Sequence, residues 1–244
     1  MSMQLFDSSC VMLDEYYFRA GHKNDFRFLL CSRQAFREDI PVLILDKRPG
    51  KNTLGIDYPK FSCEQGNAFF HEYWRRSQKA PGLSAVQLRM QSFYKDMKEC
   101  LNMNMPLNSF TSNEVLIAYH NPFRDDCPTD KNFLYEFWCK ILDNIHPKII
   151  FTMAKEPFKM LEFYFSDIHN GKMWTKSDEF SEIQKDFNYK IYLYLARRHD
   201  HESLVVSIPS LFKYRYDEKG GEQKIANNAM WSKIKAFYVG GDGR

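Results

Sequence analysis

No two of the six cysteines (Cys10, Cys31, Cys63, Cys100, Cys127 and Cys139) stand at a Cys-x-x-Cys spacing, and no histidine completes a zinc pattern around them. Zinc fingers and thioredoxin-type redox motifs are thereby excluded, and free thiols in a reducing cytoplasm are the expectation. No apolar run approaches the length that spans a bilayer, so no membrane partner is expected. The opening Met-Ser-Met-Gln-Leu-Phe-Asp-Ser lacks a basic segment followed by an apolar stretch, and no secretory signal is read there. Charge of one sign is also scarce. A net charge of +3 excludes a histone-like polycation and confines any nucleic-acid contact to a local basic patch. Arg48-Pro49-Gly50-Lys51-Asn52-Thr53 lacks the Gly-x-x-x-x-Gly-Lys-Ser/Thr spacing of a P-loop, which weighs against a nucleotide hydrolase or transferase.

Aromatic residues are abundant: 16% of the chain, with 21 Phe and 14 Tyr, is more than a core of this size usually needs. Core packing accounts for most of them, and the surplus is available to stack on bases or partners. Hydrophobic content of 44% excludes wholesale disorder. Four apolar runs have the character of buried strands, namely residues 41–45, 115–118, 148–153 and 204–208, and the alternating run 189–195 fits an edge or late-joining strand. Helical spacing marks residues 67–79, 85–103, 130–145, 157–165 and 222–238. Strands alternating with helices predict a three-layer α/β/α sandwich around a mainly parallel sheet of four or five strands. Residues 12–37 read as one or two helices packed before the first strand, within a helical extension over 1–40. Residues 165–188 read as a surface excursion and 240–244 as a flexible tail. With no internal repeat or low-complexity linker, residues 1–244 form one domain.

The densest chemistry follows the second strand, where Val115-Leu116-Ile117-Ala118 ends in His120-Asn121-Pro122-Phe123-Arg124. Polar groups at the carboxyl end of a parallel strand sit where open α/β sheets bind ligands. The Asn121 carboxamide carries both donors and an acceptor and can read the edge of a nucleobase, or it can close an Asx-turn before Pro122.

After the first strand come Asp46-Lys47-Arg48-Pro49-Gly50, then Gly55, Asp57, Phe61 and Gln65-Gly66-Asn67-Ala68-Phe69-Phe70. After the fourth run stands Ser207-Ile208-Pro209-Ser210-Leu211-Phe212. In order and spacing these segments, with Asn121-Pro122-Phe123-Arg124 and residues 148–154 between them, resemble the uracil-DNA glycosylase superfamily. The likeness is greatest to its mismatch-specific uracil/thymine branch and spans residues 41–238. The resemblance implies a DNA glycosylase that flips out a damaged, mismatched or modified base and hydrolyses its N-glycosidic bond, with DNA as partner. It further implies a monomer with no metal and no organic cofactor, acting in DNA repair or in defence against modified phage DNA.

By that resemblance Phe69 stacks on the base and Asn121 reads its edge, while Arg48 and His120 stabilise negative charge on the departing base. Asp46 and Asp57 are the nearest carboxylates for water or for the cationic sugar. Ser210, Leu211 and Phe212 press into the DNA, with Lys213 and Arg215 on its phosphates. Two departures stand out. The position of the water-activating Asn or Asp holds Arg48, whose guanidinium stays protonated and cannot act as a base, and Ile208 stands where several branches begin the second motif with His.

Each residue also has an ordinary structural role open to it. Phe69 fits a core, Arg48 a solvated turn, and Asp46 or Asp57 a hydrogen bond to its own loop backbone. His120 fits a satisfied loop histidine, and residues 211–216 a charged turn. Arg75-Arg76 and Arg197-Arg198 read as ordinary surface. The alternative function is a catalytically silent nucleic-acid-binding protein that keeps the fold and its pocket.

Overall fold

Val42-Leu43-Ile44-Leu45 and Val115-Leu116-Ile117-Ala118 are uninterrupted apolar runs because the strands they form are covered on both faces. The computed structural model describes residues 2–19, 27–48, 62–63, 65–72, 83–123, 129–165, 175–176, 191–198, 200–208, 216 and 222–240. Strands β1 (Val42–Asp46) and β2 (Val115–Tyr119) lie parallel, with Val42 opposite Val115 and Asp46 opposite Tyr119. β3 (Ile149–Thr152) joins β1 on its other side, and β6 (His201–Ser207) joins β3, both parallel. β5 (Tyr192–Arg198) returns antiparallel along β6, and the two-residue β4 (Thr175–Lys176) pairs antiparallel with β5. The sheet order is therefore β2-β1-β3-β6-β5-β4, one strand more than expected because of the short β4.

Helices cover both faces, giving the three-layer sandwich. Successive strand residues point to opposite sides, and β3 shows where each leads. Phe151 meets Phe93 and Trp231, from α3 (Ala85–Cys100) and α7 (Glu222–Gly240). Ile150 lies beside Leu142 and Phe165, from α5 (Lys131–Ile145) and α6 (Lys155–Phe165). On α3, Met90, Phe93 and Met97 are fully buried, and Ser84 and Gln87 cap its start reciprocally. Among the described residues no helix is long and apolar enough to cross a membrane, and Cys10, Cys31, Cys63, Cys100 and Cys139 are free thiols.

The N-terminal region departs from expectation. Helix α1 runs Ser2–Arg19, earlier than read, and packs on α5 through Tyr16 stacked on Phe133 at 3.9 Å. Residues 27–31 are not helical but extended, with an antiparallel bridge from Leu29 to Ala118. The amide of Leu30 donates to Ile117 and that of Tyr119 donates to Phe28, at 2.9 and 3.0 Å. The reason is non-local: β2 is an edge strand, and its outward backbone groups need partners that this segment supplies. Only a 3-10 turn, Arg33–Ala35, follows it.

The helix read over 67–79 is, where described, the single turn α2 (Ala68–His71). Asn67 caps it by accepting from the Phe69 amide at 3.0 Å, and Glu72 is already extended. The Glu72 carboxylate instead holds the fully buried Arg27 through two hydrogen bonds, at 2.7 and 2.5 Å. Gly66 precedes the cap at φ +123°, where a Cβ would meet Ser112 Oγ at 2.8 Å, so only glycine fits. The sequence reading lacks α4 (Leu107–Asn113) altogether, a short helix anchored by buried Phe110. α7 continues through Gly240, and residues 241–244 lie outside the described part, as does nearly all of 165–188.

Candidate functional site

β1 and β2 end in register, so the residues after them leave the sheet side by side. The pairing continues past the strands: the His120 amide donates to Asp46 O at 2.7 Å, and the Asn121 amide to Lys47 O at 2.9 Å. β3 ends one strand over, and α6 starts after it at Lys155. α5 starts nearby at Lys131, capped by Asp130, whose carboxylate accepts from the Asn132 amide at 2.9 Å. These four chain ends enclose a cavity of about 380 Å³ at the carboxyl edge of the sheet.

Its lining is strongly cationic. Among the described residues, Lys47, Arg48, Lys131, Lys155 and Lys159 contribute five positive charges, against the one carboxylate of Glu156. Lys47 Nζ and Glu156 Oε1 are 2.7 Å apart, and the hydrogen bond from Lys47 holds Glu156 below the usual carboxylate range. Lys131 and Lys155 are the first residues of their helices, where a cation opposes the positive end of the helix dipole. Both placements cost helix stability in isolation, and an anion in the cavity would reverse that cost.

His120 and Asn121 line the same cavity and are each 5% exposed. Burial pushes His120 down to about 4, with Glu156 pulling it upward and Arg48 pressing it further down. It is therefore a neutral imidazole at neutral pH. Its Nε2 has no hydrogen-bond partner among the described residues. The ring lies parallel to Trp138, whose indole N–H donates to His120 O at 2.8 Å and fixes the backbone. Asn121 closes the Asx-turn, its Oδ1 accepting from the Phe123 amide at 3.1 Å, while Nδ2 donates to Thr129 Oγ1 at 3.2 Å. The carboxamide is thus locked in orientation with its acceptor engaged, and one N–H remains for a ligand.

Arg48, His120 and Asn121 are accordingly brought together, and two other candidates are not. Phe69 is in the core, 4% exposed and edge-on to Tyr94 at 6.3 Å, and it does not line the cavity. The aromatic that does is Tyr135, stacked on Phe163. Asp46 is also absent from the lining. Its Oδ1 accepts from the Lys47 amide at 2.7 Å, and burial raises the carboxyl to about 6 against that bond. Asp57, Ser210, Leu211, Phe212, Lys213 and Arg215 lie outside the described residues, as do Arg75 and Arg76. Tyr216, which the sequence places in the same cationic loop, is instead buried: its hydroxyl donates to Asp96 at 2.5 Å and accepts from Trp231 Nε1 at 2.6 Å. Arg197 pairs with Glu202 at 2.5 Å and Arg198 with Asp143 at 3.1 Å, so this doublet is engaged within the protein.

Sequence reasoning missed Lys131, Lys155, Lys159 and Glu156. The signal for two of them was legible, since lysine at the first position of consecutive helices runs against the dipole rule. A scan against protein-family models finds no match, and a search of curated proteins likewise returns none. Fold and site together define a mainly parallel α/β protein with a cationic, histidine-containing cavity at the carboxyl edge of its first three strands.

Proposed function

We propose that the protein is a DNA glycosylase-type hydrolase that takes an extruded nucleotide into the carboxyl-edge cavity and cleaves its N-glycosidic bond. The observation that carries this reading is convergence: Arg48 and the His120–Asn121 pair, drawn from two distant stretches of sequence, line one cavity with four lysines. The cations match a nucleotide's phosphates, and the locked Asn121 offers its remaining N–H to an acceptor on the base edge. Tyr135 supplies the flat face that Phe69 does not. A neutral His120 donating from Nε2 stabilises charge building on the departing base, with no proton to lose first. Arg48 adds positive charge on the same side, and the ionised Glu156 supports either the cationic sugar or the attacking water. DNA is then the partner, and a modified or bulky base suits a cavity of about 380 Å³ with a guanidinium where a small amide or carboxylate would stand.

The direct test is an abasic-site assay on duplexes carrying uracil, thymine mismatches, hydroxymethylated cytosine or glucosylated cytosine. Strand breakage after alkali on one of these, lost in Glu156→Gln and His120→Ala, is the expected result. A second reading, a silent nucleic-acid binder, is favoured by the Glu156–Lys47 ion pair and by the capture of Asn121 Oδ1 by the backbone. Binding without abasic sites on any duplex, weakened by Lys155→Ala with Lys159→Ala, would select it. Loss of neither binding nor excision in these variants would sink both readings.

A further inference from the structure

At the opposite edge of the sheet, three chain segments bring Asp39, His146 and His201 together, with one potential ligand atom from each lying within 4.8 Å of the others. Asp39 is in the turn before β1, His146 caps the end of α5, and His201 is the first residue of β6. The backbone ties these segments directly. Ile40 donates to Ile145 O and Lys148 donates to Ile40 O, each at 3.3 Å, and Leu204 donates to Lys148 O at 2.9 Å. The cluster is therefore fixed by the sheet and does not depend on a loop closing.

We propose that this trio is a binding site for a first-row transition-metal ion of the Zn²⁺, Co²⁺ or Ni²⁺ class. Two imidazoles and one carboxylate are the donor set such ions prefer, whereas Mg²⁺ and Ca²⁺ take oxygen ligands. Three observations point to a ligand here. His146 Nδ1 is buried with no hydrogen-bond partner among the described residues. The two imidazoles lie against each other, centroids 3.6 Å apart and 11° from parallel, so two nitrogen donors from distant segments reach the same spot. His146 is the capping residue of α5, and a helix C-terminus attracts a cation. The surrounding cations are engaged elsewhere: Arg198 holds Asp143 and the Tyr164 carbonyl, and Lys148 lies over the Tyr238 ring.

Ligand atoms around tetrahedral zinc stand roughly 3.3 Å apart, given metal–nitrogen distances of about 2.0–2.1 Å. The trio must contract, and the stacked rings must fan open so that one ion lies in both ring planes. Asp39 and His201 are exposed, so side-chain rotation achieves both. Three protein ligands leave the remaining position to water. The site stands apart from the cavity and does not depend on its function.

The experiment is a Co²⁺ titration of the full chain, followed by absorbance, with Zn²⁺ as competitor. One Co²⁺ per chain is expected, with visible d–d bands and no near-ultraviolet thiolate charge-transfer band, because no cysteine takes part. His201→Ala should weaken binding by about tenfold or more, the scale on which removing a group that merely supports a ligand already acts. Asp39→Asn should do the same, and asparagine tolerates the left-handed φ of +52° at that position, so the fold is kept. Zn²⁺ should raise the melting temperature of the parent and of neither variant. A thiolate band, no saturable binding, or parent-like affinity in both variants would overturn the proposal.

Discussion

At its carboxyl edge the sheet meets the first turns of α5 and α6, and at its amino edge it meets the last turn of α5. The side chains gathered at the two ends differ accordingly. The first end holds Lys47, Arg48, Lys131, Lys155 and Lys159 around a neutral histidine. The second holds a carboxylate and two stacked imidazoles. One helix, α5, contributes to both, with Lys131 at the cavity and His146 at the cluster. Lys131 at its start opposes the helix dipole, whereas His146 at its end agrees with it.

The sharpest way to break that contrast is through His120. Its folded pKa of about 4 lies below the ordinary 6.5. Its contribution to stability is therefore complete above pH 6.5 and is lost as pH falls toward 4. The linked loss is about 3 kcal/mol. Urea unfolding at pH 7 and pH 4.5 should show most of it in the parent and little in His120→Gln. An equal acid loss in both proteins would mean the imidazole is already solvated and charged.

Asp46 has the opposite sign. Its carboxyl is raised from 3.8 to about 6, so the stability tied to its protonated form is present below pH 3.8 and disappears as pH rises through 6. Asp46→Asn keeps the acceptor for the Lys47 amide and removes the charge. It should gain about 2 kcal/mol at pH 8, a value kept below the full linkage because the residue is not sealed from solvent. No gain in unfolding free energy at pH 8 would place a partner on this carboxylate.

The cavity lysines come next. Lys155→Ala with Lys159→Ala should weaken duplex binding and flatten its salt dependence, by roughly 0.9 in log–log slope for each phosphate that is no longer neutralised. Co²⁺ affinity at the other edge should not move. Lys131→Ala separates function from stability: α5 should gain about 0.3–1 kcal/mol as the opposed charge is removed, while affinity for nucleic acid falls. A variant that loses stability would show that Lys131 serves the fold and not a ligand.

The strands were legible because a strand covered on both faces must be apolar throughout, as residues 42–45, 115–118 and 149–151 are. Arg48, His120 and Asn121 were legible for a related reason: they follow strands whose parallel pairing brings their ends together. What stayed hidden depends on partners distant in sequence. Residues 27–31 complete the β2 edge, and Arg27 waits for Glu72. Phe69 carries no local mark of whether its ring faces a cavity or Tyr94. Lys155 becomes a cavity residue only once β3 is known to lie beside β1.

The buried Tyr216 has a bearing on how this protein could be re-engineered. The chain is fastened at Ile208, whose amide donates to Thr152 O at 2.9 Å, and again at Tyr216, between Asp96 and Trp231. Ile208 and Tyr216 are thus two rivets, one set into β3 and the other between α3 and α7. A redesign that keeps Ile208 and Tyr216 keeps both of these anchors, and one that removes the Tyr216 hydroxyl leaves Trp231 Nε1 and Asp96 without their shared partner.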